Sequence, residues 1–243
     1  MKLLIIRHGE PDYEKDSLTP TGWREAELLA DRLSRLSISA FYCSPLGRAK
    51  DTAAATLKRM GRDAEILPWL REFPPVVQRP DRPNAVAWDW MPGDWTVRSY
   101  FYDPDCWIEA PEFQAAQVAD IYRRVVIDFD ALLTRHGYRR NGHVYHVETA
   151  NCDTLAFFCH FGLECVLLSH LLGISPMPLW HGTCAAPTSV TTLVTEERQK
   201  GIASFRMCAF GDTSHLYAAG QPVSHAARYQ EVFPSQSNTR RTL

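Results

Sequence analysis

The sequence predicts an α/β fold: a three-layer α/β/α sandwich with a mostly parallel central sheet and an α-rich insert. Two observations carry that expectation. Apolar runs of strand length alternate with stretches of helical period between residues 3 and 67, in the order strand, helix, strand, helix, strand. The same alternation resumes at residue 154, after a long segment of different composition.

Residues 3–6 form the first apolar run and end at once in Arg7-His8-Gly9. Thr19 is placed to cap a helix whose first residue is Pro20. Ala26, Leu29, Ala30, Leu33 and Leu36 fall on one face of it at helical spacing. Residues 40–43 make a short second strand. Ser44-Pro45 is expected to cap the next helix, which runs through Arg48, Ala53 and Leu57 and stops before Gly61. Residues 64–67 read as a third strand. Residues 154–159 read as a buried fourth strand, 162–172 as a helix, and 188–195 with 202–209 as a closing antiparallel pair.

The insert covers about residues 74–142. Its first part gathers Trp88, Trp90, Trp95, Tyr100, Phe101, Tyr102 and Trp107 among prolines and acids. Two readings of this cluster stay open: extra core beneath a long loop, or a wall that selects part of a ligand. The second part, 111–136, places Val118, Tyr122, Val125, Phe129 and Leu132 at helical spacing and predicts one long amphipathic helix. An apolar face on the insert would serve a homodimer or simply the core. The expected organisation is one α/β domain over 1–217 and a polar tail over 218–243.

Apolar residues make up 45% and charged residues 22%, which supports one well-buried globular core. The formal net charge of -2 argues against broad, charge-driven nucleic-acid binding. Seven cysteines, an odd number with no C-x-x-C pair, read as free, buried thiols in a reducing compartment. Cys152 and Cys159 are expected to pack as small hydrophobes. The first apolar run is too short for a signal peptide, and no stretch nears the roughly 20 apolar residues a bilayer needs. The expectation is a cytoplasmic enzyme with no membrane partner. His143, His146 and Glu148 invite a metal reading, but on a strand the two histidines would face opposite ways.

Four features share one logic. Arg7-His8-Gly9-Glu10 follows the first strand, Arg48 lies in the helix after the second, Glu72 follows the third, and His160-Phe161-Gly162 follows the fourth. Strand ends of an open parallel sheet converge on one crevice. Guanidinium groups match phosphate oxygens in pairs, and helix N-termini add N–H donors. A neutral imidazole can accept a phosphoryl group, a second can stabilise it in transfer, and a carboxyl of raised pKa can protonate the leaving oxygen. Each residue has an ordinary alternative. His8 alone would be a loop histidine, Arg48 a surface arginine, Glu72 a solvated carboxylate. Glu10 reads as a structural hydrogen-bonding group.

The runs Leu-Ile-Ile-Arg-His-Gly-Glu, Leu-Thr-Pro-Thr-Gly, Ser-Pro-Leu-Gly-Arg-Ala-Lys-Asp-Thr-Ala and Cys-His-Phe-Gly, with Gly211-Asp212-Thr213-Ser214-His215-Leu216, resemble the histidine phosphatase superfamily, the phosphoglycerate mutase-like proteins. The resemblance covers residues 1–73 and 153–217 and leaves the insert outside. It implies that His8 is the phosphorylated histidine, that Arg7, Arg48 and His160 form the phosphate pocket, and that Glu72 is the proton donor. It also implies that no metal or other cofactor is used and that the partner is a small phosphorylated substrate. Glu14 stands where the family often has Asn, and Phe161-Gly162 where it usually has Gly-Gly. The expected activity is phosphomonoester hydrolysis through a phosphohistidine. The alternatives are a phosphoglycerate mutase and a non-catalytic phospho-ligand binding module.

Overall fold

The computed structural model describes residues 1–224 together with Ala226, Tyr229 and Phe233. In chain order the strands are β1 (Lys2–Arg7), β2 (Pro11–Asp12), β3 (Ser17–Leu18), β4 (Ala40–Cys43), β5 (Glu65–Ile66), β6 (Val76–Val77), β7 (Ala85–Val86), β8 (Tyr138–Asn141), β9 (Val144–Val147), β10 (Thr154–Cys159), β11 (Val190–Gln199) and β12 (Ile202–Asp212). The helices are α1 (Pro20–Leu33), α2 (Gly47–Met60), α3 (Pro92–Trp95), α4 (Pro111–Ala115), α5 (Val118–Arg135), α6 (Phe161–Leu172), α7 (Pro176–Gly182) and α8 (Ser214–Ala218).

Eight strands form one mixed sheet in the order β5-β4-β10-β1-β11-β12-β9-β8. β5, β4, β10 and β1 are parallel, as the strand–helix alternation predicts. From β1 onward the pairings with β11, β12, β9 and β8 are antiparallel.

β1 shows why there are three layers. Its alternate residues serve two cores: Leu3 and Ile5 pack into one, Leu4 and Ile6 into the other. On the first face lie Val125 and Phe129 of α5 and Leu163 and Leu167 of α6. On the second lie Leu29 and Leu33 of α1 and Ala49 and Ala53 of α2. Burying such a side chain stabilises the fold by about 1.5–3 kcal/mol over leaving it exposed. A slip of one residue would exchange the two faces of β1, so its register is held from both sides.

α1 begins as its sequence dictates, with Pro20 first and the Thr19 hydroxyl accepting from Gly22 N at 3.1 Å. Leu36 lies past its end and is exposed. Three other expectations need correction. Ser44 does not cap α2: the helix starts at Gly47 behind Leu46, which makes no side-chain cap. The helix expected over 111–136 is two helices, because Gln117 adopts a left-handed φ of 52° between α4 and α5. The break lets α4 turn Phe113 into the aromatic cluster around Trp90, Phe101 and Trp107. Of the cysteines expected to be buried, Cys152, Cys184 and Cys208 are exposed, whereas Cys43, Cys159 and Cys165 are buried as expected.

The hairpin β8–β9 extends the main sheet, so the expected insert boundary at 142 falls in its turn. His143 sits in that turn, and the His146 ring bonds Asn141 Nδ2 at 2.7 Å. The polar tail expected over 218–243 lies mostly outside the described residues. Among the described residues, no helix is long and apolar enough to cross a membrane.

Candidate active site

The ends of β1, β4 and β10 and the loop after β5 bring the sequence-predicted residues together. Arg7, His8, Arg48 and Glu72 line one cavity of about 490 Å³. His160 lies behind His8, fully buried, with ring centroids 5.1 Å apart and the planes tilted by 57°.

His8 is 3% exposed. Its main-chain N–H donates to Cys159 O at 3.0 Å, which ties it to the parallel strand beside β1. Its Nδ1 lies 2.7 Å from the Gly9 carbonyl. A carbonyl only accepts, so Nδ1 carries the proton and Nε2 keeps its lone pair. Burial, reinforced by the Arg7 charge, lowers the His8 pKa to about 3, so the ring is neutral at physiological pH.

Arg7 donates through Nη1 to Ala185 O at 2.6 Å, and its Nε is buried with no partner. Arg48 occupies the second position of α2, where a cation opposes the helix dipole. The structure resolves this through Asp16. Its Oδ1 accepts from Arg48 Nη1 at 2.7 Å and its Oδ2 from Gly47 N at 2.6 Å. Asp16 thus supplies from a distance the acceptor that Ser44 was expected to supply locally. Burial alone would raise the Asp16 pKa, but the donors from Gly47 and Arg48 outweigh it and hold the carboxylate below its usual range. Arg48 Nε is also buried without a partner.

The hydroxyl of Ser44 serves His160 instead, at 2.8 Å from Nε2, and accepts from Leu46 N at 3.2 Å. The Ser44 hydroxyl can donate to Nε2, and in that arrangement Nδ1 carries the His160 proton. That Nδ1 is buried and has no partner. Burial, with His8 and the two arginines nearby, holds the His160 pKa well below its ordinary value.

Glu72 meets the N-terminus of α6. Its Oε1 accepts from Phe73 N at 2.8 Å and Leu163 N at 3.0 Å. Burial raises its pKa in spite of those amides. The approach depends on Gly162, where a Cβ would lie 2.7 Å from Glu72 Oε1 and from the Trp88 ring. Glu10, by contrast, accepts from the Thr19 hydroxyl at 2.8 Å and does not line the cavity.

Several residues of the site escaped the sequence reading. Asp16 and Ser44 act across 31 and 116 positions, so no local pattern announces them. Thr188, with a left-handed φ of 58°, donates its N–H to the carbonyls of Arg7 and His8. Its hydroxyl donates to Pro187 O and accepts from His215 Nε2 at 3.1 Å, and the Arg32 guanidinium reaches His215 Nδ1. Glu164, in the first turn of α6, is buried with neither carboxyl oxygen hydrogen-bonded, and burial raises its pKa to about 8. The tryptophan cluster divides. Trp107 is core, whereas Trp88 and Trp95 are half-buried and line the cavity. The arrangement offers an uncharged imidazole nitrogen beside three orphaned N–H donors and a carboxyl of raised pKa, a set suited to a phosphoryl group.

The model of the histidine phosphatase superfamily (branch 1) matches residues 3–207. The chain is 31% identical over 131 residues to the mitochondrial serine/threonine-protein phosphatase Pgam5 of Caenorhabditis elegans, covering 51% of this chain and 39% of that one. It therefore spans well under two thirds of that relative's length. It is 25% identical over 226 residues to phosphoserine phosphatase 1 of Hydrogenobacter thermophilus, covering 87% and 95% of the two chains. The phosphoserine phosphatase of Entamoeba histolytica, solved with 3-phosphoglyceric acid, shares the fold with a TM-score of 0.57 at 16% identity, over 88% of this chain and 98% of that chain.

Proposed function

The chain belongs to branch 1 of the histidine phosphatase superfamily, and from that premise we propose that it hydrolyses the phosphomonoester of a small metabolite through phospho-His8, without a metal. One observation carries the proposal. Arg7 Nε, Arg48 Nε and His160 Nδ1 are all buried with no partner, in the shell around His8. An unsatisfied buried donor costs about 1–3 kcal/mol, and a bound phosphoryl group would satisfy all three.

In the first step His8 Nε2 attacks phosphorus, the P–N bond forms and the ester P–O bond breaks. Glu72 delivers its proton to the departing oxygen. In the second step a water attacks phosphorus, Glu72 takes back a proton, and the P–N bond breaks to release phosphate. The arginines and His160 hold the equatorial oxygens, where charge accumulates.

The test is an acid-quenched reaction with ³²P-labelled ester. Acid-labile label on histidine is expected in the wild type and absent in His8→Ala. Turnover without labelled histidine would refute the mechanism. Free phosphate is the expected product from 3-phosphoglycerate, where a mutase would return the isomerised ester. Turnover should persist in a chelator, and loss restored by Zn²⁺ or Mg²⁺ would refute the metal-free reading.

A further inference from the structure

The phosphate end occupies only part of the cavity. The remainder is walled by aromatic rings, chiefly Tyr13, Trp88, Trp95, Phe161 and Trp180. Apart from the exposed Tyr13, these rings are braced by neighbouring rings. Trp95 stacks on His181 at 4.9 Å with planes 25° apart, and Trp88 stands edge-on to Phe161 at 6.3 Å. His181 is itself held at both nitrogens, donating to Met177 O at 2.7 Å and accepting from Trp90 N at 2.9 Å.

Three of the four wall tryptophans spend their indole N–H on main-chain carbonyls. Trp88 donates to Phe73 O, Trp90 to Ala87 O and Trp180 to Gly162 O. What these three offer a ligand is carbon and π surface. Charge excludes as well as selects. Among the described lining residues, Arg7 and Arg48 are the only arginines or lysines, and both belong to the phosphate end. Burial lowers the His181 pKa in spite of the bond to Met177 O, and its Nε2 is occupied as an acceptor from Trp90 N. The outer rim carries the Asp89 carboxylate, already paired with Arg82 at 2.9 Å and with Arg79 at 3.4 Å. Among the described residues of this wall, no unpaired cation answers a second anionic group on the substrate.

Resting on the phosphatase reading of this site, we infer that the ester's organic part is an uncharged aromatic or heteroaromatic ring system seated against Trp88 and Trp95, and not a carboxylate-bearing acid. A preorganised aromatic wall binds a flat ring with little loss of its own freedom. Each aromatic pair adds roughly a factor of two to ten beyond area burial.

The experiment compares 2-naphthylmethyl phosphate, ethyl phosphate and 3-phosphoglycerate. The first two are alkyl esters of primary alcohols, so their difference reports mainly the wall. The naphthylmethyl ester is expected to exceed the other two in kcat/KM by about tenfold or more, mostly through KM. Trp95→Ala should lower the naphthylmethyl-to-ethyl ratio about three- to tenfold, and Trp95→Phe should keep most of it. Equal or better use of 3-phosphoglycerate, or a ratio indifferent to Trp95→Ala, overturns the inference. Binding of 2-naphthylmethylphosphonate against ethylphosphonate, read by tryptophan fluorescence, separates the two claims. Tighter naphthyl binding without hydrolysis of any ester would refute the phosphatase reading and support the wall. Hydrolysis of all three with no preference, and equal phosphonate binding, would refute the wall and leave the phosphatase reading intact.

Discussion

The His8 imidazole keeps its Nε2 lone pair because Nδ1 is committed to the Gly9 carbonyl and because burial beside Arg7 disfavours the cation. With a pKa of about 3, His8 does not limit activity near neutrality. In the proposed mechanism the limit comes from Glu72, which must enter the reaction protonated. Its pKa is raised, so the protonated fraction persists to higher pH than for an ordinary carboxyl and falls away above that. His8→Ala is expected to lower turnover by about a thousandfold or more. Glu72→Gln should lower kcat/KM for alkyl esters by about 10²–10⁴, and much less for p-nitrophenyl phosphate, whose leaving oxygen needs no proton. An equal loss on both substrates would count against Glu72 as the acid. The residues legible in the sequence were those adjacent to strand ends: Arg7, His8, Arg48, Glu72 and His160. Asp16 and Ser44 were illegible because a hydrogen bond across the fold leaves no mark on neighbouring residues.

At the scale of elements, the N-termini of α2 and α6 do the positioning, and each is approached through a glycine. A Cβ on Gly47 would lie 2.0 Å from the Asp16 carbonyl, and one on Gly162 would press on Glu72 and Trp88. Gly162→Ala is expected to destabilise by about 1–3 kcal/mol through overpacking and to lower kcat on alkyl esters by displacing the Glu72 carboxyl. Denaturant titration alongside kinetics checks both. A fully active, equally stable variant would mean that Glu72 is not held as described. Helical period and cap residues made the start of α1 legible to the residue, since Thr19 and Pro20 act locally. The start of α2 was not, because its N-terminal amide is satisfied by a carboxylate 31 positions earlier. Nor was the break at Gln117, since a left-handed φ at a glutamine leaves no mark on the apolar spacing of Val118, Tyr122, Val125, Phe129 and Leu132.

For the molecule as a whole, two buried carboxyls set a pH dependence. Burial raises the pKa of Glu164 to about 8 and, in spite of the Glu10 main-chain N–H that donates to it, that of Glu25 to about 7. In the unfolded chain both ionise near the ordinary 4.5. Between about pH 4.5 and 8 the folded state therefore binds more protons, and these two groups make stability fall as pH rises through that window. The melting temperature is expected to drop from pH 5 to pH 8, and Glu164→Gln, which cannot ionise, should flatten the slope. An unchanged slope would show that Glu164 is not the buried acid responsible. The three layers were legible because alternating strands and helices admit few arrangements. The antiparallel half of the sheet was legible only as one pair, since the short polar strands β8 and β9 lack an apolar signature. The placement of β1 also bears on how the protein is made. It lies between β10 and β11, whose partners for Leu3 are Leu155 and Leu193. A ribosome delivers β1 well before β10 and β11, the two strands it must pair with. Folding of the sheet's centre is therefore nonlocal and late. His8 therefore leaves the ribosome before β10 and β11 and acquires its geometry only when they have joined β1.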